Sequence, residues 1–156
     1  MRTALRITGF SLVELTLALG VAGFCLIAVL GLLPISANTN QAAIQQTTAN
    51  AIISEIAADL NAAARLPPGQ VSKQYSLKNR WDPTPDYLYF TNAGDPVGTN
   101  QATAPAGAVF RATITYRLPP TDTTSVADIR VSWPAAQSDQ TKVAGSAGMF
   151  VAINRR

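Results

Sequence analysis

The alternation of hydrophobic and polar positions divides the chain into three regimes. Between 12 and 33 the sequence is almost wholly apolar, twenty-two residues with a single charge, Glu14. A helix rising about 1.5 Å per residue crosses a bilayer in roughly 20 apolar residues, so this stretch is long enough to span one. Pro34 follows, where a helix leaving the bilayer is expected to bend or open locally. From 38 to 65 the apolar positions recur every four residues: Ile52, Ile56 and Leu60, with Ile53 and Ala57 alongside. Gln45, Gln46, Asn50, Glu55 and Asp59 fall on the outward side of the same helix. This is an amphipathic helix with one core-facing stripe, and Leu66-Pro67-Pro68-Gly69 ends it.

The third regime has a period of two. After an irregular stretch from 71 to 85, residues 87–91 read as a strand that enters a turn cluster at 92–96. Residues 97–107, rich in Gly, Thr, Asn, Ala and Pro, read as a long exposed loop. Between 109 and 117, Phe110, Ala112, Ile114 and Tyr116 share one face, while Arg111, Thr113, Thr115 and Arg117 share the other. From 126 to 133, Ala127, Ile129, Val131 and Trp133 point inward in the same way. Residues 137–148 read as polar loop, and 149–154 as a closing strand. Tyr116 and Trp133, at strand spacing beside aliphatics, are core residues on this pattern and not ligand-binding aromatics. The pattern predicts an α+β fold. A long N-terminal helix spans a membrane with its first half and carries a small, mostly antiparallel sheet of about four strands on its second.

The amino terminus carries the candidate chemistry. Residues 1–9 form a short polar leader with Arg2 and Arg6. A secretory signal peptide places its small-residue cleavage site after the apolar region. Here the small residue at a sharp boundary, Gly9, comes before it, so cleavage at Gly9 would leave the apolar helix on the mature protein. No Lys or Arg follows the span until Arg65, which favours a cytoplasmic amino end and places the remainder across the membrane. Glu14 is the anomaly, since a carboxylate costs about 2.5–3.5 kcal/mol near the centre of a bilayer and less at its edge. Cleavage after Gly9 would supply a partner, the new α-amine of Phe10 at i,i+4 spacing. A neighbouring subunit's amine would serve equally, and snorkelling to the headgroup level is the plain alternative.

The run Gly9-Phe10-Ser11-Leu12-Val13-Glu14-Leu15-Thr16-Leu17 resembles the class III signal of type IV pilins and type II secretion pseudopilins. The resemblance implies a prepilin peptidase that cuts between Gly9 and Phe10 and methylates the new terminus, with Glu14 as the carboxylate that docks the subunit into a growing filament. Gly31-Leu32-Leu33-Pro34, Asn38-Thr39-Asn40-Gln41-Ala42 and Trp133-Pro134-Ala135-Ala136 are further similar to the Verru_Chthon cassette protein B family of pilin-like proteins. Gly31 stands where major pilins carry a kinking proline, which leans toward a minor pilin or pseudopilin. The organisation expected is a leader over 1–9, a transmembrane and assembly helix over 10–35, and a periplasmic globular domain over 36–156, with its helix at 38–66 and its sheet at 87–154. The expected partners are the peptidase, other pilin or pseudopilin subunits and the membrane. An unprocessed single-span anchor with a small binding domain, and a tip pilin for adhesion or DNA uptake using loop 97–107, are the competing expectations.

Composition narrows the chemistry. The chain of 156 residues has no histidine and one cysteine, Cys25, inside the apolar run. The commonest general base and metal ligand is therefore missing, and no intrachain disulfide can form. No glycine-rich phosphate loop, nucleophile elbow or Cys/His cluster is present, so neither an enzyme nor a resident cofactor is expected. Asp82, Asp86 and Asp95 with Asn92 lie near turns but lack the regular spacing of a calcium loop, and no metal site is assigned. A net charge of +3, spread along the chain, is too weak to argue for nucleic acid, and the terminal Arg155-Arg156 pair reads as a solvated tail. Ser11 and Thr16 are expected to be helix-packing hydroxyls.

Overall fold

The computed structural model describes residues 9, 11–67, 69–78, 84–117 and 124–154. Its elements are α1 (Leu12–Ala63), β1 (Asp86–Phe90), β2 (Pro96–Thr99), β3 (Phe110–Arg117), β4 (Thr124–Trp133) and β5 (Gly145–Asn154). The chain divides into two compact units, Met1–Ala42 and Ala43–Arg156.

In the first unit the described residues are almost entirely helix. The helical assignment passes through Pro34 without interruption, so the expected local opening is not seen there. A proline removes one i→i−4 hydrogen bond and leaves the other bonds of the helix in place. The window Leu12–Gly31 has a mean hydropathy of 2.3 and none of it is buried. Leu12 is 80% exposed and Phe24 76%.

The second unit holds the core. The helix contributes Ala49, Ile52, Ile53, Ile56, Ala57 and Leu60, all buried, which is the stripe read from the sequence. It packs on the inner face of a five-stranded sheet of order β2-β1-β3-β4-β5, antiparallel at every pairing. Phe110, Ala112, Ile114 and Tyr116 on β3 and Ala127, Ile129, Val131 and Trp133 on β4 are buried on that face, as their alternation requires. Each large apolar side chain buried there contributes about 1.5–3 kcal/mol. The helix closes with Arg65 N–H donating to Ala62 O at 3.3 Å and Leu66 N–H to Ala63 O at 3.0 Å, a tightening of the last turn just before Pro67.

Three strand expectations need correction. The sheet has five strands and not about four, because Pro96–Thr99 pairs with β1 as an edge strand. Residues 97–107 are therefore not wholly a loop. A proline at the start of an edge strand costs no ladder bond. β5 begins at Gly145, inside the stretch expected to be polar loop, because Gly145 lies opposite Trp133 and a Cβ there would enter the indole ring. β1 and β4 begin one and two residues earlier than expected, at Asp86 and Thr124.

Asp59 is also corrected. It is 6% exposed and does not face solvent. Its Oδ1 and Oδ2 accept the backbone N–H groups of Gln74 and Tyr75 at 3.3 and 3.2 Å, because the irregular segment after the helix folds back along it. Tyr75 and Leu77 join the core, and the Tyr75 ring meets Phe90 edge-on with centroids 5.8 Å apart. The Tyr75 hydroxyl donates to Glu55 at 2.8 Å. Burial, reinforced by the Glu55 carboxylate, pushes that phenol well above its ordinary pKa.

Candidate functional site

The amino-terminal site is assembled from one local motif. Gly9 is exposed and belongs to no element, and the helix begins at Leu12. Ser11 caps it: Glu14 N–H donates to Ser11 Oγ at 3.3 Å, and Ser11 N–H donates to Glu14 Oε2 at 3.0 Å. This reciprocal pair is a capping box, which satisfies two helix N-terminal donors at once. The carboxylate also sits where the helix dipole favours negative charge. Ser11 is thus a cap and not the packing hydroxyl expected of it. The signal was legible, since Ser-x-x-Glu just before an apolar run is the sequence form of this motif. Thr16 Oγ1 donates to Val13 O at 3.0 Å within its own helix. Phe10 lies outside the described residues, as do the leader residues 1–8.

Beyond the cap the helix surface is apolar and open. A Cβ added at Gly20, Gly23 or Gly31 would meet nothing within 4 Å, and Cys25 is exposed. Eleven large apolar side chains between 12 and 30 are exposed. At about 2 kcal/mol each, covering them would release on the order of 20 kcal/mol, more than the net stability of an ordinary domain, about 5–15 kcal/mol. Such a surface needs an apolar environment around it.

Of the residues considered for calcium, Asp86 has a structural role for its carboxylate. Asp86 is fully buried at the head of β1. Its Oδ2 accepts Lys78 N–H at 2.8 Å and the Tyr116 hydroxyl at 2.9 Å, and its Oδ1 accepts Asn100 Nδ2 at 2.8 Å. Those three donors fix the segment before β1, strand β3 and the end of β2 to one group. Asp95 closes the β1–β2 turn, with its carbonyl accepting Thr91 N–H at 2.9 Å, and Asn92 is exposed in the same turn. Asp82 and the Arg155-Arg156 pair lie outside the described residues. Among the described residues no three His, Cys, Asp or Glu side chains are grouped to hold a metal ion.

The outward face of the sheet carries a second constellation. Arg111 on β3 stacks its guanidinium on the Tyr87 ring, 4.7 Å from the centroid, and the residue is one of those lining a cavity of about 370 Å³. Further along, Thr113, Thr115, Arg117, Asp128, Arg130 and Gln140 line a second cavity of about 250 Å³.

No protein-family model matches the chain, and no curated protein or solved structure matches it significantly. The molecule is an α+β protein in which an apolar N-terminal helix, long enough to cross a membrane, continues into a helix that packs on a five-stranded antiparallel sheet.

Proposed function

We propose that this chain is the precursor of a pilin-like subunit, a minor pilin or pseudopilin, and acts structurally and not as an enzyme. The observation that carries this reading is the fully exposed apolar helix of Leu12–Gly31, opened by the Ser11–Glu14 capping box and preceded at once by the exposed Gly9. Prepilin peptidase would cut between Gly9 and Phe10, leaving the helix on the mature chain. Before assembly the helix is soluble in lipid, with its amino end cytoplasmic and the sheet-bearing unit periplasmic. After assembly the same apolar surface packs against neighbouring subunits. Forty residues from 15 to 54 without a charge and three glycines with open space at their Cβ positions support close helix approach.

Glu14 then has two successive partners. In the precursor its carboxylate holds the Ser11 N–H. After cleavage the Phe10 amine, in the same chain or a neighbour, is a charged partner that offsets the cost of an acid at the membrane edge.

The test uses Glu14→Ala and Glu14→Gln in the native host. Gln retains the capping geometry and removes the charge. Both variants are expected to remain membrane-bound and to be cleaved, and both are expected to enter filaments poorly. Normal incorporation of either would remove the assembly role of the carboxylate. An unprocessed wild-type chain would instead indicate a simple single-span anchor.

A further inference from the structure

The two edges of the sheet are finished differently. β2 is four residues long and opens with Pro96, and its pairing with β1 is irregular between Tyr89 and Phe90. Shortness, proline and irregular pairing are usual means by which a sheet edge avoids pairing with another chain. β5 has none of them. It runs for ten residues, Gly145–Asn154, without a charge or a proline, and its register against β4 is unbroken. Among the described residues no strand lies beyond it, and no backbone hydrogen bond outside its ladder with β4 reaches it. Alternate residues of an antiparallel strand turn both N–H and C=O away from the neighbour they already have, so β5 presents a row of donors and acceptors at its far side.

Two residues in the middle of this strand are not accounted for by its own fold. Phe150 is 66% exposed, on the outward side of the sheet and across from Asp128 on β4. Gly148, two residues away on the same side, is exposed as well. Its φ lies outside the left-handed region, and a Cβ there would meet only Ile129 O, at an ordinary 3.5 Å. Nothing among the described residues requires glycine at this position, in contrast to Gly145 beneath the Trp133 ring. A glycine inside a strand weakens it and marks a bulge, a bend or the close approach of another backbone. The unbroken register excludes a bulge and points to the last.

We propose that β5 pairs antiparallel with β5 of a second copy of this chain, about a two-fold axis at Met149, joining the two sheets into one. Met149 then lies opposite its counterpart, and each Phe150 lies opposite the other copy's Gly148. The choice of a second copy rests on this reciprocity. An exposed ring and a bare glycine stand two residues apart on one face, so a single symmetric pairing fills both places at once. A ring laid over a cross-strand glycine covers the backbone that the glycine leaves open. The strand carries no charge, so symmetric pairing sets no like charges opposite each other along it. The overlap runs from 145 to 153, about 30 Å at roughly 3.3 Å per residue. The surface lies in the sheet-bearing unit, and its pairing does not depend on cleavage of the leader.

The test is the association state of the full chain in mild detergent by sedimentation equilibrium, with variants that separate pairing through β5 from association through the apolar helix. The wild type is expected to be a dimer. Phe150→Lys places its charge across from Asp128 of its own β4, and Gly148→Val fills the place of the incoming ring with a residue that suits a strand. Each is expected to raise the dimer dissociation constant at least about tenfold while the thermal midpoint holds. In a Cys25→Ser background, Met149→Cys is expected to give an intermolecular disulfide on mild oxidation, since the two Cβ atoms face each other about 4.5–5.5 Å apart. Ser146→Cys, whose counterpart lies roughly 20 Å away along the strand, is expected to give none. A monomeric wild type would overturn the proposal. So would a dimer that either β5 variant leaves intact, because the helix would then hold it. Crosslinking through position 146 as readily as through 149 would overturn the two-fold register on which the second copy was chosen.

Discussion

Replacing Asp59 by Ala removes the acceptor of two backbone N–H groups in the segment that follows the helix. Tyr75 N–H is buried and donates at 3.2 Å, and Gln74 N–H is part-buried and donates at 3.3 Å. Hydrogen bonds to a charged group contribute about 1.5–3 kcal/mol each, and a buried donor left unpaired costs about 1–3 kcal/mol. Both distances are long, so the low end applies, and the Gln74 amide can turn to water. Alanine is the better helix former by about 0.6 kcal/mol, which offsets part of the loss. The net expectation is a destabilisation of about 2–3 kcal/mol for Asp59→Ala and about 1 kcal/mol for Asp59→Asn, which keeps one acceptor oxygen. Urea unfolding of the full chain in mild detergent, followed by tryptophan fluorescence, measures it. A solvated aspartate on an outward helix face would give the opposite sign, a gain of about half a kcal/mol from propensity alone. An unchanged or raised midpoint for Asp59→Ala would therefore refute the packing of the 72–77 segment against the helix.

Asp86→Ala would remove the one acceptor group that three donors share at a fully buried carboxylate, and the expected cost is about 3–5 kcal/mol; a thermal midpoint within about 2 °C of wild type would contradict the network. Gly145→Ala would force a methyl into the Trp133 ring, and the overpacking is expected to cost about 1–3 kcal/mol and to shift the tryptophan emission; unchanged emission and stability would show that the ring lies elsewhere. Because the Tyr75 phenol is raised in the folded protein, its contribution to stability is complete below the unfolded tyrosine pKa, about 10, and is lost as pH climbs above it. Wild type is expected to exceed Tyr75→Phe by about 1 kcal/mol at neutral pH, with the gap narrowing in alkali; a gap independent of pH up to 11 would refute the raised phenol.

The parts of the fold that were legible are those in which burial imposes a period. Ile52, Ile56 and Leu60 mark a helix face, and the alternations through Phe110–Arg117 and Ala127 to Trp133 mark strands whose inner residues are buried. The remainder rests on features that periodicity does not encode. β2 is built from Pro96, Val97, Gly98 and Thr99, with no apolar alternation, and is held by pairing with β1. The start of β5 is Gly-Ser-Ala-Gly, whose first glycine leaves the room that the Trp133 ring occupies. Asp59 and Asp86 look like surface carboxylates because their partners lie up to 30 residues away. At the amino-terminal site the capping box was readable from Ser11 and Glu14 alone, whereas the Arg111 cavity depends on two loops that meet only in the folded sheet.

The central claim, that the apolar helix is retained after the leader is trimmed, is tested most directly by the intact mass of the protein isolated from its native membrane. A mass lacking residues 1–9, with the chain beginning at Phe10 and carrying or lacking one methyl group, is the predicted result. A chain in the membrane still beginning at Met1, or one cleaved after the apolar run so that Leu12–Gly31 is lost, would contradict it.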